Sequence, residues 1–129
     1  MEAKEHLYYA IGLLVYAMAK ADGDIQKEEK EKLHKLVLDK TGHSIDFNYA
    51  EIVFELMEKD NMSKLDLVYE WSMKNFELGK HHFSAKMKND CIDLIEAVAQ
   101  AFSPVTKAEK SLIERFKDDI DKLRINITL

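Results

Sequence analysis

An apolar run from Leu7 to Ala19, which leads into the acidic corner Asp22-Gly23-Asp24, constrains the fold more than any other stretch of the chain. Its apolar residues recur at intervals of three and four, which is the spacing of a buried helix face. These residues are Leu7, Ile11, Leu14, Val15 and Met18. Residues 27–40 place Lys and Glu opposite a second apolar face. The pattern predicts an apolar helix over about residues 3–21, a sharp turn, and a charged helix.

Residues that break helices are scarce along the whole chain. One Pro and four Gly in 129 residues favour long helices over the many short strands of a sandwich or barrel. A chain of this length can bury one core and is short for two domains. We therefore predict a single all-α domain over residues 1–129, a compact bundle of six to seven helices.

Turn residues divide the remainder of the chain into further helices. We expect Gly42 and Gly79 to end helices, and Ser63 and Ser84 to cap the helices that follow them. Residues 124–129 alternate apolar and polar side chains, which suits a short extended tail or one that lies across the bundle. Periodicity predicts that a helix from about residue 46 buries Phe47, Ile52, Val53, Leu56 and Met57. The next helix, which ends near Gly79, carries Leu65, Val68, Trp71, Ser72 and Phe76.

The chain resembles itself when it is shifted by 80 residues. Residues 14–36 then align with residues 94–116 without a gap. The identical positions in the first copy are Leu14, Ala17, Ala19, Ala21, Lys27, Glu29 and Lys30. Two copies of one helical hairpin explain this register, and chance similarity between amphipathic helices is the competing interpretation.

The acidic corner carries the residue types of a cation site. The pattern from Asp22 to Glu29, with Gly23 at the turn, matches the second half of a calcium-binding EF-hand loop. The two earlier ligand positions fall on Met18 and Lys20, which cannot coordinate a hard cation, so an EF-hand is excluded. A loose divalent-cation site for calcium or magnesium remains, and its candidate ligands are Asp22, Asp24, Glu28 and Glu29.

Helix capping is the alternative explanation of the same acids. In the second copy, Thr106 and Glu109 are spaced as a capping box, and Glu29 holds the place equivalent to Glu109. However, the second copy has Phe102-Ser103-Pro104 where the first has Asp22-Gly23-Asp24. A corner of this fold therefore does not require carboxylates there, which keeps the site hypothesis open for Asp22 and Asp24.

This corner resembles the signature of TerB-like domains, the tellurite-resistance family whose relatives include the N-terminal region of DjlA co-chaperones. The residues that carry the resemblance are Ala17-Met18-Ala19-Lys20-Ala21-Asp22-Gly23-Asp24-Ile25, Glu28, Glu29 and Leu33. The resemblance implies a small all-α cytoplasmic protein with no catalytic activity, associated with tellurite and stress resistance. It also implies a role in metal binding, or as an interaction module with a protein partner in a membrane-associated complex.

The second hairpin departs from the family's pattern. Many relatives repeat an acidic corner there, whereas this chain has Phe102-Ser103-Pro104. A mechanism that uses paired acidic sites is therefore not expected for this protein.

Charge and hydropathy limit the partners. The net charge of −5 disfavours general electrostatic binding to nucleic acid, because phosphate binding needs Lys and Arg clustered on one face. No run reaches the ~18–20 apolar residues of a membrane-spanning helix. The first six residues carry two acids against one Lys, whereas a secretory signal begins with a basic region. We expect a cytoplasmic protein without a nucleic-acid partner.

No arrangement typical of catalysis can be identified from spacing, so we predict no catalytic residue and expect a protein that is not an enzyme. Cys91, the only Cys, is interpreted as a small apolar residue of a helix face. The adjacent His81 and His82 would point about 100° apart on a helix, and with His6 they are interpreted as surface residues.

Two other functions stay open. The carboxylates of the corner could serve a metal-dependent hydrolase. Alternatively, the chain could be a purely structural oligomerisation module, with an interface supplied by exposed Tyr9, Tyr49 or Tyr69.

Overall fold

The computed structural model describes residues 2–21, 31, 35, 47–101 and 105–125. Its helices are α1 (Ala3–Lys20), α2 (Phe47–Lys59), α3 (Leu65–Leu78), α4 (Ala85–Ala101) and α5 (Lys107–Ile125), with a 3-10 turn at Lys80–His82. These described residues contain no strand, so the all-α fold class is confirmed. Most of residues 22–46 are not among the described residues. The predicted count of six to seven helices depends on them and therefore stays a prediction.

Helix α1 lies at the centre of the bundle. Residues 10–19 are buried without interruption, so the helix has no solvent-facing side along that stretch. This matches its sequence, which is apolar almost all round rather than along one stripe. The helix packs against α2, α3, α4 and the 3-10 turn. The predicted boundaries of this helix are confirmed to within one residue, since Ala21 is its C-cap.

Helix α3 runs antiparallel to α1 and is joined to it by hydrogen bonds. The Ser72 hydroxyl, fully buried, donates to the Ala10 carbonyl over 2.6 Å near the middle of both helices. Near one end, His6 Nδ1 lies 2.8 Å from Asn75 Oδ1. The prediction that His6 is an isolated surface residue is therefore wrong, because its ring is part of the contact between the two helices.

The end of α3 approaches α1 without room for a side chain. A Cβ atom built on Gly79 would lie 2.5 Å from the Ala3 carbonyl oxygen and 2.7 Å from Leu7 Cγ. Gly79 is the C-cap of α3, as predicted, but with a φ of −99° it is not in the left-handed conformation. The glycine is therefore explained by close packing between helices rather than by its turn.

Two predicted caps have different outcomes. Ser84 Oγ accepts a hydrogen bond from the Met87 amide over 3.1 Å, so its capping role at α4 is confirmed. The N-cap of α3 is Lys64, without a side-chain hydrogen bond, so the prediction of a cap at Ser63 is wrong. Helix α5 continues to Ile125, which excludes an extended tail for residues 124 and 125. Residues 126–129 lie outside the description.

Aromatic side chains join α3 to the second half of the chain. The Phe76 ring centroid lies 5.3 Å from that of Phe83 and 5.6 Å from that of Phe116 on α5. Cys91 on α4 is buried in the same core, as predicted. No helix of the described part of the chain is both long enough and apolar enough to cross a membrane.

Candidate functional site

The four predicted ligands, Asp22, Asp24, Glu28 and Glu29, lie outside the described residues, and a cation site there stays a prediction. Elsewhere, in the described ranges, no group of three or more His, Cys, Asp or Glu side chains is placed to hold a metal ion.

The helix that leads into the acidic corner is fixed at its end. Lys20 Nζ donates to Asn61 Oδ1 over 2.8 Å, and the Tyr16 hydroxyl donates to the Met62 carbonyl over 2.7 Å. Asn61 has a φ of 50°, a left-handed conformation that Asn tolerates better than most residues. The loop between α2 and α3 therefore holds the residues immediately before the corner.

The second corner contains the predicted capping box. Glu109 Oε1 accepts hydrogen bonds from the Thr106 amide at 2.9 Å and the Thr106 hydroxyl at 3.1 Å. The Glu109 amide in turn donates to Thr106 Oγ1 over 3.1 Å. The Glu109 side chain is fully buried, and its Oε2 has no hydrogen-bond partner among the described residues. A glutamate at this place can thus have a helix-capping role and no further function. Capping therefore remains an available explanation of Glu29.

A groove of about 480 Å³ lies between α3 and α5. Its residues are Tyr69, Glu70, Met73, Lys74 and Glu77 from α3, and Arg115, Asp119, Lys122 and Leu123 from α5. Within it, the Tyr69 hydroxyl donates to Asp119 Oδ2 over 2.6 Å, and the Arg115 guanidinium carbon lies 4.2 Å from the Tyr69 ring centroid. The side-chain pair joins two helices that are distant in sequence.

The Tyr69 phenol remains protonated at neutral pH. Burial, reinforced by the hydrogen bond to Asp119, raises the pKa of Tyr69 well above its ordinary value near 10. The group therefore acts as a hydrogen-bond donor and not as a base. Burial likewise raises the pKa of the Cys91 thiol, which suits a structural residue rather than a nucleophile.

Two of the three tyrosines predicted to supply an exposed interface are not exposed. Tyr69 is buried, and Tyr9 is half-buried with its ring centroid 5.7 Å from that of Trp71. Both predictions of exposure are wrong, and the side chain of Tyr49 lies outside the description. Among the described histidines, His81 and His82 are exposed, as predicted.

The outer face of α3 exposes large apolar side chains. Leu67, Trp71 and Leu78 keep 53%, 43% and 53% of their surface accessible to solvent. At 100° per residue they lie within about 40° of one another around the helix. We call Leu67, Trp71 and Leu78 the apolar face of α3.

Helix α2 also exposes large apolar side chains, and here the structure departs from the prediction. Ile52 is 58% exposed and Leu56 is 51% exposed, although periodicity predicted that both are buried. Val53, Phe54 and Met57 make the buried side of α2 instead. Apolar periodicity marks a face of a helix but does not say whether another element covers it.

Two features of these surfaces depend on how distant helices pack. Tyr69 and Asp119 are separated by 50 residues, so their hydrogen bond follows only from the packing of α3 against α5. The exposure of Trp71 depends on which helices surround α3. The position of Lys74 among the apolar residues of α3 is the one sequence feature that indicates an exposed face.

Comparisons of the chain with family models, with curated proteins and with solved structures find no match in any of the three.

Replacement of Tyr69 by Phe tests the link between α3 and α5. We expect Tyr69→Phe to lower the free energy of unfolding at pH 7 by about 1–2 kcal/mol, because a hydrogen bond to a carboxylate is lost. Since the folded-state pKa of Tyr69 is raised, the contribution of its neutral phenol is complete below about pH 10 and declines as the pH rises further. Urea denaturation at pH 7 and between about pH 9 and 11 measures both effects.

Asp119→Asn is the matched control, since an amide oxygen still accepts the Tyr69 hydrogen bond. It should lose less stability than Tyr69→Phe at pH 7. If the wild type and Tyr69→Phe lost stability equally steeply above pH 10, the assigned role of the buried phenol would be wrong.

Proposed function

We propose that the chain is a non-enzymatic helical module that binds a protein through the outer face of α3. The observation that carries the proposal is the apolar face of α3, formed by Leu67, Trp71 and Leu78. Single exposed apolar residues are ordinary on soluble proteins, whereas several on one face mark an interaction surface. A partly exposed indole is also a frequent centre of protein interfaces.

The apolar face is held rigidly, which favours binding. Ser72 and Asn75, on the side of the same helix that contacts α1, are bound to α1 and to the helix backbone. Tyr69 fixes the flank that faces α5. A partner that binds a pre-ordered surface does not have to order it first, which lowers the entropic cost of association.

The resemblance to TerB-like domains extends the proposal to cellular role. Under it, the chain is a cytoplasmic, stress- or tellurite-resistance-associated module built from two related hairpins at about residues 14–36 and 94–116. Peripheral attachment to a membrane complex through a protein partner belongs to the same proposal.

The acidic corner is proposed as a divalent-cation site. Asp22 and Asp24 carry this part of the proposal, because the second copy of the hairpin makes its corner without acids at the matching positions. Glu28 and Glu29 would complete the ligand set together with water. The metal-dependent hydrolase remains an alternative that no described contact favours.

Photo-crosslinking in the native host tests the proposed binding face. With benzoylphenylalanine in place of Leu67, we expect light-dependent protein adducts, because the probe lies within the apolar face. The matched control carries the probe in place of Ser111, an exposed residue of α5, and should give none of these adducts. Adducts that are absent at Leu67, or the same at both positions, would contradict the proposal.

Calorimetric titration with calcium, magnesium, manganese and zinc tests the corner. We expect the wild type to bind at least one of these cations, and an Asp22→Ala/Asp24→Ala variant to lose that binding because its carboxylate ligands are removed. Added metal should raise the melting temperature of the wild type only. Identical titrations for both proteins would leave helix capping as the explanation of the acidic residues.

A further inference from the structure

The residues along the outer face of α3 are spaced by intervals that are the same in both chain directions. Lys74 lies among the residues of the apolar face, is exposed, and makes no ion pair with another described residue. The four residues are separated by intervals of four, three and four, and they lie within about 60° around the helix. We call them the seam, and its members are Leu67, Trp71, Lys74 and Leu78.

An interval pattern of this kind suits the pairing of two antiparallel copies of the same helix. Alternating intervals of three and four place side chains along a line that a second helix can follow, as in coiled coils. A two-fold axis near the peptide between Ser72 and Met73 would superpose the pattern on itself. In such an interface each contact occurs twice, since the same patch is used by both subunits.

The residues that meet across this axis are chemically complementary. Leu67 of one copy faces Leu78 of the other, so two apolar contacts form. Trp71 of one copy faces Lys74 of the other, which places an ammonium group against the face of an indole ring, a favourable cation–π geometry. The one charged residue of the seam thus meets the one aromatic ring in it, and no seam charge is left against an apolar side chain.

We propose that the occupant of the apolar face is a second copy of this chain, in an antiparallel two-fold dimer along the seam of α3. This inference rests on the proposed function, because it names the partner of the same face. The dimer differs from the structural oligomer predicted from tyrosines, since Tyr69 is buried against α5 and is not part of the seam.

The charge and size of the interface predict a weak dimer. Glu70 and Glu77 are exposed on the groove side of the seam, and the two-fold axis brings Glu70 of one copy towards Glu77 of the other. This repulsion is screened by salt, so association should strengthen as ionic strength rises. Four residues on one helix also cover less than the ~800 Å² per partner of standard interfaces. The dimer should therefore depend strongly on protein concentration.

Sedimentation equilibrium over a wide concentration range tests the dimer. We expect the wild type to associate reversibly, and Lys74→Gln to raise the dissociation constant about tenfold because two cation–π contacts are lost. Lys74→Arg keeps a cation over the indole and should stay within about threefold of the wild type. Lys110→Gln removes the same charge from an exposed site on α5 and should have no effect. A wild type that stays monomeric up to millimolar concentration, or equal dissociation constants for the two Gln variants, would overturn the proposal.

Disulfide formation tests the antiparallel register. Leu67 of one copy should face Leu78 of the other, whereas two Leu67 residues would lie about 16 Å apart, beyond the reach of a disulfide. We expect a mixture of Leu67→Cys and Leu78→Cys proteins to form a mixed disulfide dimer, and each variant alone to form little. Cys91 is buried and does not compete. Homodimers in the single variants, or no mixed dimer, would overturn the antiparallel arrangement.

The two proposals fail separately. If the Leu67 photoprobe crosslinks to another protein while the chain sediments as a monomer, the interaction module stands and the self-association is overturned. If neither adducts nor dimers form, the binding role of this face is wrong as well.

Discussion

The burial of α1 on every side is the constraint on which the other described helices depend. A helix that is apolar all round must be surrounded, since each exposed Leu or Ile side chain would cost about 1.5–3 kcal/mol. Helices α2, α3 and α4 all pack against it. The buried hydroxyl of Ser72 donates to the Ala10 carbonyl, so the contact between α1 and α3 also satisfies this buried polar group.

The position of α3 between α1 and α5 explains why one face of it remains outside. Its inner side is held by α1, and its flank is held by Phe76 against Phe116 and by Tyr69 against Asp119. The surface that these neighbours cover only in part carries the apolar face. The contacts that hold α3 against α1 and α5 thus also leave a rigid, partly apolar surface on its outer side. The proposed binding function uses this surface.

Much of the fold could be predicted from the sequence because the signals are local. The apolar spacing of α1, the cap at Ser84 and the capping box of Thr106 and Glu109 each involve residues within a few positions of one another. The exposure of Ile52 and Leu56 and the hydrogen bond between Tyr69 and Asp119 depend on how the helices pack. Periodicity therefore predicted the wrong burial for the two α2 residues and gave no indication of the hydrogen bond. The acidic corner was identified from residue spacing. Whether its carboxylates bind a cation or cap a helix depends on geometry that the local sequence does not determine.

Trp71 is the only tryptophan of the chain, so its fluorescence reports directly on the outer face of α3. The most direct test of that face as the contact between two copies of the chain is acrylamide quenching of Trp71 as a function of protein concentration. The account predicts ready quenching in dilute solution, since the indole is 43% exposed, and progressively weaker quenching as the concentration rises and the face is covered. Quenching that stays constant from dilute solution to millimolar protein would contradict it.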